Sequence, residues 1–91
     1  MAAFDWDDAK AASNVRKHGV SFGEAQTAFS DPDSITMYDE KHSQSEDRYV
    51  TLGISASGRL LVVAHTDDGE NIRIISARKA TRKEAKGYGD R

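Results

Sequence analysis

Three extended segments in close succession constrain this chain most: "DRYVTLGIS" (47–55), "RLLVVAHT" (59–66) and "NIRIISAR" (71–78). Each is rich in aliphatic and β-branched residues and is bounded by turn formers, the pattern of strands in an antiparallel meander. The first alternates, with Arg48, Val50, Leu52 and Ile54 on one side. The second is apolar on both sides, as suits a central strand covered on two faces. "ASG" marks one turn, and Asp68-Gly69 in "DDGE" is a strong hairpin signal for the other. A shorter candidate strand, "SITMY" (34–38), precedes the polar loop "DEKHSQSE".

If both turns have even-length loops, strict alternation assigns the faces. Val50, Leu52 and Ile54 then share a face with Leu61, Val63, His65, Ile72, Ile74, Ser76 and Arg78. Tyr49, Thr51, Leu60, Val62, Ala64, Arg73, Ile75 and Ala77 take the other. On this reading Arg73 and Arg78 point to opposite sides unless a bulge intervenes.

Helices flank the strands. Asp5 can cap a helix over 7–18, with Asp7 and Asp8 at its positive end and Arg16, Lys17 and His18 at its negative end. Ala9, Ala12 and Val15 make its apolar face, and Gly19 supplies a left-handed stop. Ser21 and Glu24 form a capping box for a short second helix ending near Phe29, with Val20 stapled onto Ala25. Pro32 breaks the chain before the strands. Thr81 and Glu84 form another capping box, opening a last helix through about Tyr88. The order predicts an α+β layer fold.

At 91 residues the chain is expected to be one small domain, 1–91. It has no cysteine, which points to a reducing compartment, and no run of about 18 apolar residues that could span a membrane. The opening "MAAFDWDDAK" is acidic where a signal peptide is basic, so a cytoplasmic location is expected. The net charge of −2 conceals an asymmetry. Residues 1–72 carry six Lys/Arg against thirteen Asp/Glu, while residues 73–91 carry seven against two. That is either a solvated basic helix or a basic tract for nucleic acid.

His18, His42 and His65 are scattered without metal-ligand spacing, and no GxGxxG, Walker or nucleophile-elbow motif is present. What remains is Lys17, His18, Arg48, His65, Arg73, Arg78, Glu84 and Tyr88. These types suit RNA cleavage without a metal: a base for the 2′-hydroxyl, an acid for the leaving oxygen, and arginine forks for the phosphate charge. Each also has a structural explanation. His18 can simply suit a helix end, and His65 can be a hydrogen-bonded core histidine. Arg48 can pair with a nearby carboxylate, Arg73 can lie on a solvent face, and Arg78 can pair with Glu84. Tyr88 can pack with a wet tip.

"FDWDDAKAASNVRKHGVSFGEA", "FSDP", "GRLLVVAHT" and "IRIISARKATRKE…Y" together resemble the BrnT family of bacterial type II toxins, from Phe4 to Tyr88. The resemblance implies a RelE-like fold: an antiparallel sheet of about four strands with two N-terminal helices and one C-terminal helix. It implies a metal-independent ribonuclease with no cofactor that arrests translation and growth. The implied partner is a BrnA-type antitoxin with a ribbon-helix-helix DNA-binding part, in a complex of two toxins with two antitoxins. DNA would be met only through that partner.

On this basis the expected catalytic set is Arg78 and Arg48 as phosphate clamps and His65 as acid or base, supported by Glu84 and Tyr88. Arg73, Lys79, Arg82, Lys83, Lys17 and His18 are expected to bind RNA. No metal site is expected. Two other readings stay open: a non-catalytic corepressor partner of the antitoxin, and a ribosome-associated factor that inhibits translation without cutting.

Overall fold

The computed structural model describes residues 3–89. Its elements are β1 (Ala3–Asp5), α1 (Asp8–His18), α2 (Phe22–Thr27), β2 (Ile35–Tyr38), β3 (Arg48–Ile54), β4 (Leu60–Asp67), β5 (Asn71–Lys79) and α3 (Arg82–Gly89). Single 3-10 turns follow α2 (Ala28–Ser30) and β2 (Glu40–His42). The five strands form one mixed sheet in the order β1-β5-β4-β3-β2. The expected count of about four antiparallel strands is corrected by β1, which runs parallel to β5 with Phe4 opposite Ile72. Its three residues sit where a helix cap was expected. The cap is Asp7 instead, whose carboxylate accepts the Lys10 N–H at 2.9 Å.

The expected face of α1 is also corrected. Ala9, Ala12 and Val15 are exposed, while Ala11 packs on the core and Asn14 is buried. Asn14 earns that place by hydrogen bonding. Its Oδ1 accepts the Ala77 N–H at 3.1 Å, and its Nδ2 donates to the carbonyls of Ala77 and Val20, each at 2.8 Å. A polar side chain is tolerated in the core because its groups are matched there. Gly19 ends α1 at φ 68°, as its sequence position predicts.

β3 and β4 pair Ile54 with Leu60, leaving a five-residue loop. That odd length shifts the parity, so Val50 and Leu52 face with Ala64 and Val62 rather than with Val63 and His65. A second shift lies between β4 and β5. His65 pairs with Ile74 but Ala64 pairs with Ser76, so Ile75 is an extra residue, a β-bulge. Beyond it the faces of β5 invert.

One face of the sheet builds the core. Leu61, Val63, Ile74 and Ala77 pack against Val20, Phe22, Ala25 and Ala28. The approach is so close at Gly53 that a Cβ there would stand 2.6 Å from the Ala28 carbonyl oxygen, so only glycine fits. The other face carries Val50, Leu52, Val62, Ile35 and Met37. With Glu84 and Gly87 of α3 they line an open cleft of about 250 Å³.

Candidate active site

The bulge decides which side chains meet. Arg48, Thr66 and Arg73 stand in one cross-strand row, and Val62 pairs with Arg78. All of these residues lie on the open face. The row of Arg73 and that of Arg78 are four β4 residues apart, about 13 Å at roughly 3.3 Å per residue. The expectation that Arg73 and Arg78 face opposite sides is therefore corrected: the extra Ile75 restores them to one face.

Arg78 presents its fork to Glu84, with Nη1 and Nη2 donating to the two carboxylate oxygens at 2.8 and 2.9 Å. Glu84 also accepts the Thr81 N–H at 2.8 Å, and Thr81 Oγ1 accepts the Glu84 N–H at 3.2 Å. The predicted capping box is complete. The Arg78 hydrogen bonds, aided by those of Thr81, pull the Glu84 pKa down to about 2. The Arg78 side chain remains 41% exposed, so its outward edge is open to a ligand.

Arg73 makes a surface pair with Asp5 at 3.4 Å, and Arg48 stands 4.0 Å from Glu46. Such pairs are individually weak and exchangeable. The backbone of Arg48 is better fixed. Ser43 Oγ accepts its N–H at 2.8 Å, and its carbonyl accepts the Asp39 N–H at 2.8 Å. A polar cleft of about 390 Å³ adjoins this end of the sheet, lined by Arg73, Thr66 and the carboxylates of Asp5, Glu46 and Asp67 among others.

His65 is placed elsewhere. It is 2% exposed and lies on the core face, where Nε2 meets Thr51 Oγ1 at 2.7 Å. Thr51 in turn meets Thr36, and the Phe29 and Tyr49 rings flank the imidazole. Its Nδ1 has no hydrogen-bond partner among the described residues, and burial pushes its pKa below the ordinary histidine value. His65 is therefore not brought together with Arg78. Its placement is that of a core histidine, because it alternates with Leu61 and Val63 along β4, while the bulge in β5 turns Arg78 to the other face.

Tyr88 reaches across from α3 and donates its hydroxyl to Asp31 at 2.5 Å, tying the helix to the segment before β2. Lys79, Arg82 and Lys83 are exposed, with Lys79 on the side opposite Arg78. Lys17 and His18 stand at the end of α1, in a separate cleft beside Ile75 and Ser76. They are not grouped with the three arginines.

Sequence reasoning did not single out Asn14 or Arg59. Arg59 and two serines hold Glu24, whose pKa is drawn down to about 2 chiefly by the Arg59 hydrogen bond. The Ser21–Glu24 motif signalled a cap but gave no sign of a partner 35 residues away. Among the described residues no three His, Cys, Asp or Glu converge as metal ligands. No described helix is long and apolar enough to cross a membrane.

Comparison with known proteins places this geometry in a family. The chain is similar to the ribonuclease toxin BrnT of Brucella abortus, solved at 1.1 Å, with a TM-score of 0.68 and 21% identity. The match covers 90% of this chain and all of that one, and at that identity it speaks for the fold. No curated protein matches the sequence. The family model described as "Ribonuclease toxin, BrnT, of type II toxin-antitoxin system" matches residues 6–84. Strands β2 to β5, their open face and the strand–helix junction at Arg78 and Glu84 lie within that match, and the chain belongs to the BrnT family of ribonuclease toxins of type II toxin–antitoxin systems.

Proposed function

We propose that this chain is a metal-independent endoribonuclease that cuts RNA by attack of a 2′-hydroxyl on its own phosphate, arresting translation and growth. The observation that carries this reading is the placement of Arg48, Arg73 and Arg78 along one open sheet face, with Arg78 paired to Glu84. Strand-borne arginines are held stiffly, so little reorganisation is needed when phosphate charge develops.

Arg78 is the clamp on the scissile phosphate, and Arg48 and Arg73 hold neighbouring phosphates by exchanging their weak carboxylate pairs. A phosphate that takes the Arg78 fork also strips Glu84 of the partner that lowers its pKa most. Glu84 then returns toward the usual carboxylate range while Thr81 still orients it, and it accepts the 2′-hydroxyl proton. The leaving oxygen collects a proton from solvent at the open face. Tyr88 positions α3 through Asp31. Lys79, Arg82 and Lys83 gather the RNA backbone. A strand lacking 2′-hydroxyls cannot react this way, so DNA is not a substrate.

Membership of a type II family implies a protein antitoxin. We take it to be BrnA-type, with a ribbon-helix-helix DNA-binding part and a 2:2 stoichiometry. The occupied state of Arg78 and the burial of His65 also favour a second reading, a non-catalytic corepressor partner of that antitoxin.

The test is induced expression of wild type and Arg78→Ala in a bacterial host, reading growth and total RNA together. Purified protein is then assayed on RNA with a chelator present. Growth arrest and chelator-resistant cleavage by wild type, both lost in a folded Arg78→Ala, support the nuclease. A folded wild type that is harmless and cuts nothing sinks it in favour of the corepressor.

A further inference from the structure

A second basic site lies away from the arginine face. Lys10, Ser13 and Lys17 lie on one stripe of α1 and, with His18, line a cleft of about 170 Å³ against Ile75 and Ser76. β1 leaves β5 after the Asp5–Arg73 pair, so the bulged stretch of β5 has no strand on that side among the described residues.

Three cationic or protonatable residues share this cleft, and its lining holds no carboxylate. Arg48, Arg59, Arg73 and Arg78 each have a carboxylate partner. Among the described residues Lys10, Lys17 and His18 have no such partner, a property they share with Arg16, Lys41, Lys79 and the cations of α3; what sets them apart is that they border one cleft together. Lys17 and His18 suit the negative end of a helix, but Lys10 stands in the first turn, where the helix dipole disfavours a cation. Helix stability alone does not account for it. Two ammonium groups, an imidazole and the Ser13 and Ser76 hydroxyls bordering one cleft form an oxyanion cradle.

We infer that this cleft is a phosphate subsite for single-stranded RNA, holding the backbone as it rounds the β5 edge from the arginine face. The inference rests on the RNA reading given above and adds a place where the strand is held outside the reacting centre. Ser76 joins the two regions. It pairs with Ala64 in the register of the arginine face and also lines this cleft.

A 2′-O-methyl RNA octamer, which has no free 2′-hydroxyl and is not cut, is titrated into wild type and into the double variant Lys10→Gln/Lys17→Gln over a salt series. A control double variant, Arg16→Gln/Lys41→Gln, removes the same charge at other exposed positions. The cleft variant is expected to bind about tenfold more weakly, with the log–log salt slope reduced by about 1.4, near 0.7 for each phosphate no longer neutralised. The control keeps most of the affinity, and both variants melt like wild type.

Equal losses in the two variants would mean that only net charge matters, and would overturn the subsite. So would a cleft variant that matches wild type, whether or not unmodified RNA is cut. Selective loss in the cleft variant, with a wild type that cuts no RNA, retains the subsite and refutes the nuclease instead. A wild type that does not bind the octamer overturns the subsite outright.

Discussion

The molecule contains the same ion pair twice, in two settings. Glu24 with Arg59 and Glu84 with Arg78 are both Arg–Glu pairs, and in both the arginine hydrogen bond draws the glutamate pKa to about 2. Around Glu24 the remaining partners are also internal. Ser55 and Ser57 donate to its carboxylate at 2.7 and 2.5 Å, and Arg59 donates to the Gly19 carbonyl at 3.1 Å. The knot ties α2 to the β3–β4 turn, and Glu24 is only 18% exposed. Glu84 is 32% exposed and itself lines an open cleft. The two arginines are similarly exposed, so the pairs differ at the carboxylate, which is enclosed at Glu24 and more open at Glu84. Setting, not partner identity, separates the two pairs.

This contrast fails if the two pairs respond alike to substitution. The largest effect is on chemistry. Arg78→Ala is expected to lower the RNA cleavage rate by at least about 100-fold, the scale of one lost transition-state donor, with a circular dichroism spectrum like that of wild type. Next comes Glu24→Gln, which leaves Arg59 and two serines facing a weaker acceptor. It should cost about 2 kcal/mol and lower Tm by about 10 °C in calorimetry. Glu84→Gln should cost less, about 1 kcal/mol, since its pair is more exposed and the capping geometry survives in part. Equal Tm losses at the two positions would erase the distinction.

The smallest effect is on pH dependence. A carboxylate whose folded pKa is depressed contributes stability that is fully present above its unfolded value, here 4.5. That contribution is lost as pH falls through the folded value of about 2. Tm measured at pH 5 and at pH 2.5 should therefore fall less steeply for Glu24→Gln than for wild type. The same substitution at Glu84 should flatten the curve by a smaller amount.

What the sequence made legible was local. The meander, Gly19, the Thr81–Glu84 capping box, the Ser21 cap and the short strand at 35–38 carry their signals within a few residues, and the structure has them, although Glu24 turns its carboxylate to Arg59, Ser55 and Ser57. What it hid was non-local. β1 is three residues long and owes its existence to a partner about 68 positions on, so no window around Phe4 reports it. The five-residue loop and the extra Ile75 leave no mark in composition, yet together they reassign the faces of β3 and the end of β5. For the site this mattered most. His65 and Arg78 looked like neighbours on one face, and the bulge separates them while reuniting Arg73 with Arg78. The pairing of Arg78 with Glu84 was readable as a possibility because six residues at a strand–helix junction bring the two together.

The side chain of Asn14 has one more consequence. A strand edge left bare is a template on which a second chain can add itself, the first step toward a fibril. β1 shields only the first three residues of β5, and Asn14 occupies both backbone groups of Ala77 further along. One amide thus stands in for a missing sixth strand. It takes the Ala77 backbone groups out of intermolecular pairing while leaving Ile75 and Ser76 at the border of a cleft. Asparagine there is a guard against self-association as much as a piece of the core.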